Sequence, residues 1–126
     1  MSPKTIKITY WILTVVFALF MLMDGGAGVV KEKTGQEVMK HLGYPIYIMV
    51  ITGAFKILGA IAILQNKYKT IKEWAFAGFA INFIGAFASR AFVGDPIGLL
   101  VLPLVMLTII FVVYYFWKKF ETIKTI

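Results

Sequence analysis

The 126-residue chain contains no cysteine, a single histidine and six acidic residues. Without cysteine, the chain can form no disulfide, carry out no thiol redox chemistry and bind no cysteine-ligated zinc or iron–sulfur centre. One histidine with few carboxylates is also poor material for a metal site. We therefore expect neither a metal nor a tightly bound cofactor in this subunit.

Charge of either sign is scarce. Only 15% of the residues are charged, 60% are hydrophobic and the mean hydropathy is +0.86, whereas soluble domains typically carry about 25% charged residues. The net charge of +7 comes from short basic clusters between apolar runs, where lysines meet anionic lipid headgroups. This pattern excludes an ordinary soluble domain and indicates membrane lipids, not nucleic acid, as the partner.

Four apolar runs are each long enough to cross a bilayer, which takes about 20 residues. They cover about residues 8–30, 44–64, 71–93 and 97–117, and short polar segments join them. The runs lack the alternating pattern of membrane β-strands. The sequence therefore predicts an all-α, polytopic membrane protein in which residues 1–126 form a single four-helix transmembrane domain.

The basic residues are distributed unequally between the two predicted sides of the membrane. By the positive-inside rule, the bias predicts that both termini are cytoplasmic, and we expect a bacterial cytoplasmic membrane. The side with the termini has Lys4, Lys7, Lys67, Lys69, Lys72, Lys118, Lys119 and Lys124, and the other side has Lys31, Lys33, Lys40 and Arg90.

Small side chains form stripes on the second and third predicted spans. In lipid, close approach of small residues favours helix packing, so we predict that these stripes face the bundle interior while the phenylalanines of the third span point elsewhere. The alternative is a simple packing seam with no site. The stripes are Gly53, Lys56, Gly59 and Ala60, and Ala75, Gly78, Asn82, Gly85 and Ser89; the phenylalanines are Phe76, Phe79, Phe83 and Phe87.

Lys56 is the only charge in the second span. A lysine at the centre of a membrane helix costs about 2.5–3.5 kcal/mol, so it either extends toward the cytoplasmic headgroups, pairs inside the bundle, or handles a ligand or proton. Counting about 1.5 Å per residue from the predicted helix ends pairs Lys56 with Glu73 and Asp24 with Arg90, with Asn82 between them. Glu73 and Asp24 can also be ordinary charges near helix ends.

Four segments form a combination that is specific when taken together: "KHLGYPIY" before the second span, "FKILGAIAIL" within it, "IKEWAFAGFAINFIGAF" in the third, and "VGDP" before the fourth. With these segments, the chain resembles the DoxX-like family of small four-helix membrane proteins over nearly its whole length. The resemblance implies signature positions at His41, Gly43, Tyr44, Pro45, Lys56, Gly59, Glu73 and Trp74.

The DoxX-like family takes its name from a subunit of a thiosulfate:quinone oxidoreductase, and a distant animal relative is a chaperone for acetylcholine receptor assembly. The chain departs from the family pattern at two positions, since many relatives have an acidic residue in place of Asn82 and a histidine in place of Arg90. The resemblance therefore does not imply a proton relay or a metal site. His41, with only Glu37 four residues before it as a second ligand, is expected to cap or hydrogen-bond at the interface.

The chain has no nucleophile–base constellation, phosphate loop or cluster of metal ligands, so we expect no catalytic residues. The favoured function is a non-catalytic accessory or assembly protein that binds other membrane proteins or copies of itself. The alternative is a quinone- or lipid-binding subunit of an oxidoreductase complex with a pocket near Lys56, Asn82 and Glu73. A small transporter or channel would require oligomerisation.

Overall fold

The computed structural model describes residues 2–124, apart from the side chain of Lys124, and within them all regular structure is helical. Four of the helices are long and apolar enough to cross a membrane. The prediction of an all-α, four-span membrane protein is thus confirmed. In chain order the helices are α1 (Pro3–Val29), α2 (Lys33–Leu42), α3 (Tyr47–Leu64), α4 (Lys69–Phe92) and α5 (Ile97–Lys124).

The four long helices contact one another in the ring order α1, α3, α4, α5. Each is antiparallel to its neighbours because consecutive spans cross the membrane in opposite directions. The bundle therefore has two distinct ends. The end with Ser2, the α3–α4 connection (65–68) and the last turn of α5 is called the termini end, and the end with α2 and the α4–α5 turn (93–96) is called the α2 end.

Helix α1 begins well before the first predicted span. The hydroxyl of Ser2 accepts a hydrogen bond from the Thr5 backbone N–H at 3.2 Å, and Pro3 occupies the first turn, where its missing N–H is of no consequence. Basic residues before the apolar run are therefore helical. Hydropathy marks the part of a helix that can lie in lipid, and the cap marks where the helix starts.

The predicted polar loop between the first two spans contains the short helix α2. The carboxylate of Glu32 accepts hydrogen bonds from the backbone N–H groups of Thr34 and Gly35, which holds the pKa of Glu32 below its usual range. Gly43 ends the helix with φ +82°, a left-handed conformation that glycine adopts readily. The start of α2 at Glu32 and its end at Gly43 are thus both explained by residues of the sequence.

Helices α1 and α3 pack through glycine. A Cβ atom at Gly53 would lie 2.5 Å from the carbonyl oxygen of Gly25, and one at Gly28 would lie 2.6 Å from the carbonyl oxygen of Met49. The two backbones are thus in direct contact, as small residues permit in membrane helices. Gly53 lies in a packing seam as predicted, but its partner is α1.

The predicted orientation of α4 was wrong. Its buried face carries Phe76, Phe79 and Phe83, whereas Gly78 and Gly85 are exposed and a Cβ atom at either would meet nothing within 4 Å. The centre of a ring of four helices has more volume than small side chains can fill. Phenylalanine fills it, so the small residues of α4 face outward.

Contacts between aromatic side chains connect neighbouring and opposite helices of the bundle. The Phe17 ring of α1 meets that of Phe79 edge-on at 5.2 Å, and the Phe76 ring stacks on Trp117 of α5 at 5.4 Å. At the termini end, Tyr10 stacks on Phe120 at 4.5 Å, which closes α1 onto α5. Such pairs stabilise by about 0.5–1.5 kcal/mol beyond their buried area.

Candidate functional site

Lys56 pairs with Asp24, so the predicted partner Glu73 was wrong. The Lys56 ammonium donates a hydrogen bond to Asp24 at 2.6 Å, and Glu73 accepts one from Lys118. Side chains lean toward the N-terminus of their own helix. Since α3 starts at the α2 end and α4 at the termini end, Lys56 and Glu73 lean apart. Lys56 therefore does not extend toward the termini end, as the headgroup alternative requires.

The predicted pairing of Asp24 with Arg90 was also wrong. Nη1 of Arg90 donates to Asp95 at 3.0 Å, and the other oxygen of Asp95 lies 2.5 Å from Nε2 of His41. The hydrogen bond from His41, aided by Arg90 and opposed by burial, holds the pKa of Asp95 below its usual range. Asp95 thus joins α2 to the end of α4.

A second contact reinforces this connection. The hydroxyl groups of Tyr44 and Ser89 lie 2.5 Å apart. Two segments that carry the family resemblance, "KHLGYPIY" and "VGDP", therefore meet at the α2 end through His41 and Asp95, and the contact of Tyr44 with Ser89 lies beside them. Both contacts hold backbone segments in place, which is a structural role.

We expect the contact between α2 and the α4–α5 turn to weaken at low pH. Because Asp95 has a lowered pKa in the folded protein, its charged form contributes stability that is fully present above the unfolded value, about pH 4, and is lost as the pH falls through the lower folded value. Asp95→Asn should therefore lower the unfolding midpoint at neutral pH. The difference from the unsubstituted chain should disappear at strongly acidic pH.

Thermal unfolding in mild detergent at a series of pH values measures this difference. Glu37→Gln, at an exposed position of α2, is the matched control and should leave the midpoint unchanged at neutral pH. A midpoint difference for Asp95→Asn that stays constant down to the lowest pH would contradict the assigned role of the carboxylate.

A groove of about 570 Å³ lies between α3 and α4 and is called the α3–α4 groove. Its lining is mostly apolar, and Thr52, Lys56 and Asn82 provide the polar groups. Within residues 2–124, the carboxamide of Asn82 makes no hydrogen bond, and Asn82 lines this groove from the outward side of α4. Glu73, which was predicted to share this pocket, instead lines a smaller groove of about 220 Å³ with residues of α4 and α5.

A second cavity, of about 390 Å³, is lined by residues of α1, α2 and α3 together with Arg90 of α4, and is called the α2 cavity. Its charged lining residues are Asp24, Glu32, Lys56 and Arg90. Lys56 lines both this cavity and the α3–α4 groove. Four of the seven predicted polar residues are thus brought to one or both spaces, while His41 and Tyr44 secure the α2 end and Glu73 lies elsewhere.

The sequence counts Lys72 among the basic residues on the side of the membrane with the termini, but its side chain is fully buried. Its ammonium donates to the Tyr10 hydroxyl and, at 2.7 Å, to Asn66, and lies 4.9 and 5.0 Å from the ring centroids of Tyr10 and Trp117. Helical spacing gave the missed signal, because positions 72, 76, 79 and 83 share one helix face and the last three are the buried phenylalanines.

The model of the DoxX-like family matches residues 12–113. The chain belongs to the DoxX-like family. In this DoxX-like protein, the match includes every residue that lines the groove and the cavity, whereas Tyr10 and Trp117 beside Lys72 lie outside it. No curated protein and no solved structure matched the chain. Within residues 2–124, no group of three histidine, aspartate or glutamate residues is placed to hold a metal ion.

Proposed function

We propose that this DoxX-like protein is a non-catalytic accessory protein that binds other membrane proteins within the bilayer, with the α3–α4 groove as its docking surface. The observation that supports the proposal is that the outward side of α4 exposes small residues and an amide side chain. Gly78 and Asn82 line the groove, and Gly85 lies on the same side of α4 beyond it. Both glycines are exposed with open space around them, and Asn82 makes no hydrogen bond to residues 2–124.

The physical argument concerns the partner that such a surface fits. Glycines let a second helix backbone approach closely, and amide side chains hydrogen-bond across membrane helices. Hydrocarbon offers neither contact, and an unpaired polar group there is costly. Gly78, Asn82 and Gly85 occupy one face of α4, so a single apolar helix of another membrane protein can contact all three.

Photo-crosslinking from introduced cysteine tests this proposal. The natural chain has no cysteine, so within this chain a photoactivatable maleimide attaches only where a cysteine is placed. We expect Gly78→Cys to give a defined set of protein adducts in native membranes and to lose them when Asn82→Leu is added. Val16→Cys, which is exposed on α1, is the matched control and should give lipid adducts.

Protein adducts of equal yield from both positions would contradict the docking surface. Adducts with twice the mass of the chain would show self-association through the groove and would replace an accessory role with a homo-oligomer.

A quinone- or lipid-binding subunit is the second candidate, because Lys56 and Asn82 line the same apolar groove. Its volume of about 570 Å³ falls in the range of about 300–1,000 Å³ that small-molecule sites occupy. A quinone or lipid that co-purifies at one molecule per chain, is lost with Asn82→Leu and comes with no protein adducts favours this function.

We also propose that both termini are cytoplasmic in a bacterial inner membrane. The support is the concentration of lysine at the termini end, since cytoplasmic segments carry an excess of basic residues. Reporter fusions at the two ends test the orientation, and activity on the outer side at either end would contradict it.

A further inference from the structure

The α3–α4 groove runs from the termini end to about the middle of the bilayer. Its lining covers residues 52–62 of α3 and 71–82 of α4, which is about 15 Å along each helix at about 1.5 Å per residue. Residue 71 lies close to the start of α4 at the termini end, and Asn82 lies near the midpoint of that helix. The hydrocarbon core is about 30 Å thick, so the groove serves one half of it.

The polarity of the groove changes along its length. Thr52, Lys56 and Asn82 lie at the end near the middle of the bilayer, and the part toward the termini end is lined by Leu58, Ala62, Ile71, Trp74 and Ala75. A lipid of that leaflet has the opposite order, because its headgroup lies at the surface and its acyl chains lie at the middle. Its hydrocarbon would meet the polar groups, so a lipid fits this groove poorly. A transmembrane helix crosses the middle of the bilayer and can carry a polar side chain there.

Asn82 is the polar group of the groove whose hydrogen bonds are unmet. Lys56 is paired with Asp24 at 2.6 Å, and the Thr52 hydroxyl donates to the backbone carbonyl of Ile48 at 3.0 Å. The carboxamide of Asn82 makes no hydrogen bond within the described part of the chain. It has two N–H donors and an acceptor oxygen, and unpaired polar atoms in hydrocarbon are costly. The matching occupant therefore brings both an acceptor and a donor to this depth.

The charge of the groove favours a neutral partner group. Lys56 is the charged residue of the lining, and Asp24 already neutralises it. A carboxylate on the partner would therefore enter the middle of the bilayer without a free counter-ion, which is costly. A quinone brings acceptor oxygens but no donor, and would leave the oxygen of Asn82 unpaired. A primary amide brings both, and can exchange two hydrogen bonds with Asn82.

We propose that the α3–α4 groove recognises a membrane helix that carries a glutamine or asparagine at its middle. This inference rests on the proposed docking function and specifies the chemistry of the partner. The partner amide pairs with Asn82, and the apolar surface of the same helix covers the groove between Asn82 and the termini end. Gly78, which is exposed with open space around it, lets the partner backbone approach closely.

Binding of synthetic single-span peptides to the full chain in liposomes tests this specificity. The probes are a leucine–alanine helix with a central glutamine, the same helix with a central leucine, and one with the glutamine moved by one turn. Energy transfer to a dye on Lys67→Cys, in the exposed α3–α4 connection, measures binding. We expect the central-glutamine peptide to bind about fivefold more tightly than either of the others. A central glutamine has the same depth in both orientations of the peptide.

Three variants assign the preference to one side chain. Asn82→Leu should abolish the preference for the glutamine peptide, and Asn82→Gln, which keeps the amide, should retain it. Thr108→Leu is the matched control, because Thr108 is an exposed polar residue at a similar depth on α5, and it should bind as the unsubstituted chain does. Asn82 lies on the outward side of α4 and makes no hydrogen bond to the described residues, so we expect Asn82→Leu to fold.

Three outcomes would overturn the amide specificity. They are equal binding of the glutamine and leucine peptides, a preference that survives Asn82→Leu, and tighter binding of a peptide with a central glutamate. The last would make Lys56 the recognition group. Each of these leaves the docking function standing if Gly78→Cys still gives protein adducts in native membranes, whereas loss of those adducts is a failure of the docking function itself.

Discussion

Gly53→Ala is expected to destabilise the bundle by about 3 kcal/mol, at the upper end of the cost of overpacking a tight interface. The added Cβ would lie 2.5 Å from the carbonyl oxygen of Gly25 and 3.0 Å from the backbone nitrogen of Val29. Both atoms belong to the main chain of α1, so no side-chain rotation can relieve the clash. The helices must separate, and the aromatic contacts beside the seam must then readjust. Thermal unfolding in mild detergent measures the loss.

Gly78→Ala is the matched control for this prediction. It makes the same chemical change in the neighbouring helix, at a position where the Cβ would meet nothing within 4 Å. Since alanine also has a higher helix propensity than glycine, we expect unchanged or slightly greater stability. Equal losses for the two variants, or no loss for Gly53→Ala, would show that α1 and α3 are not in backbone contact.

Lys72→Met is expected to cost about 3 kcal/mol, because hydrogen bonds to a buried charged group are among the strongest in proteins. The substitution nearly preserves side-chain length but removes the cation that Tyr10, Asn66 and Trp117 surround. We expect α1, α4 and α5 to loosen at the termini end. The midpoint of thermal unfolding reports stability, and tryptophan emission, to which Trp117 contributes together with Trp11 and Trp74, reports the change around these rings.

Lys119→Met is the control for the buried lysine. Lys119 is exposed on α5, where substitutions are typically within about 0.5 kcal/mol of neutral. If Lys72→Met and Lys119→Met unfold at the same temperature, the buried cation does not contribute to the closure of the bundle.

Hydropathy was sufficient to predict the four spans, because a membrane helix must present an apolar surface along most of its length. It could not predict which helices touch. A stripe of small residues marks a close contact without naming the partner, so Gly53 was correctly placed in a seam whose partner is α1. On α4 the same signal marked the outward side, since filling the centre of the ring required the volume of Phe76, Phe79 and Phe83.

The predicted ion pairs of Lys56 with Glu73 and of Asp24 with Arg90 were wrong for a geometric reason. Counting residues from helix ends gives the depth of a backbone position, whereas Lys56 and Glu73 bond at the tips of long side chains that lean in opposite directions. Where lean is included, Asp24 becomes the natural partner of Lys56. The burial of Lys72 was missed for a different reason. A lysine near the end of an apolar run is ordinarily interfacial, and only the helical spacing of Lys72 from Phe76 indicates that it is buried.

The glycine contact between α1 and α3 divides the bundle into two parts that can move relative to each other. The main chains of α1 and α3 touch at Gly25 and Gly53. Neither helix can slide or rotate against the other without a clash between backbone atoms, so we expect α1 and α3 to tilt as one rigid body. Helix α4 meets its neighbours through rings, which tolerate small rotations. When the thickness of the bilayer changes, we therefore expect the packing of α3 against α4 to adjust.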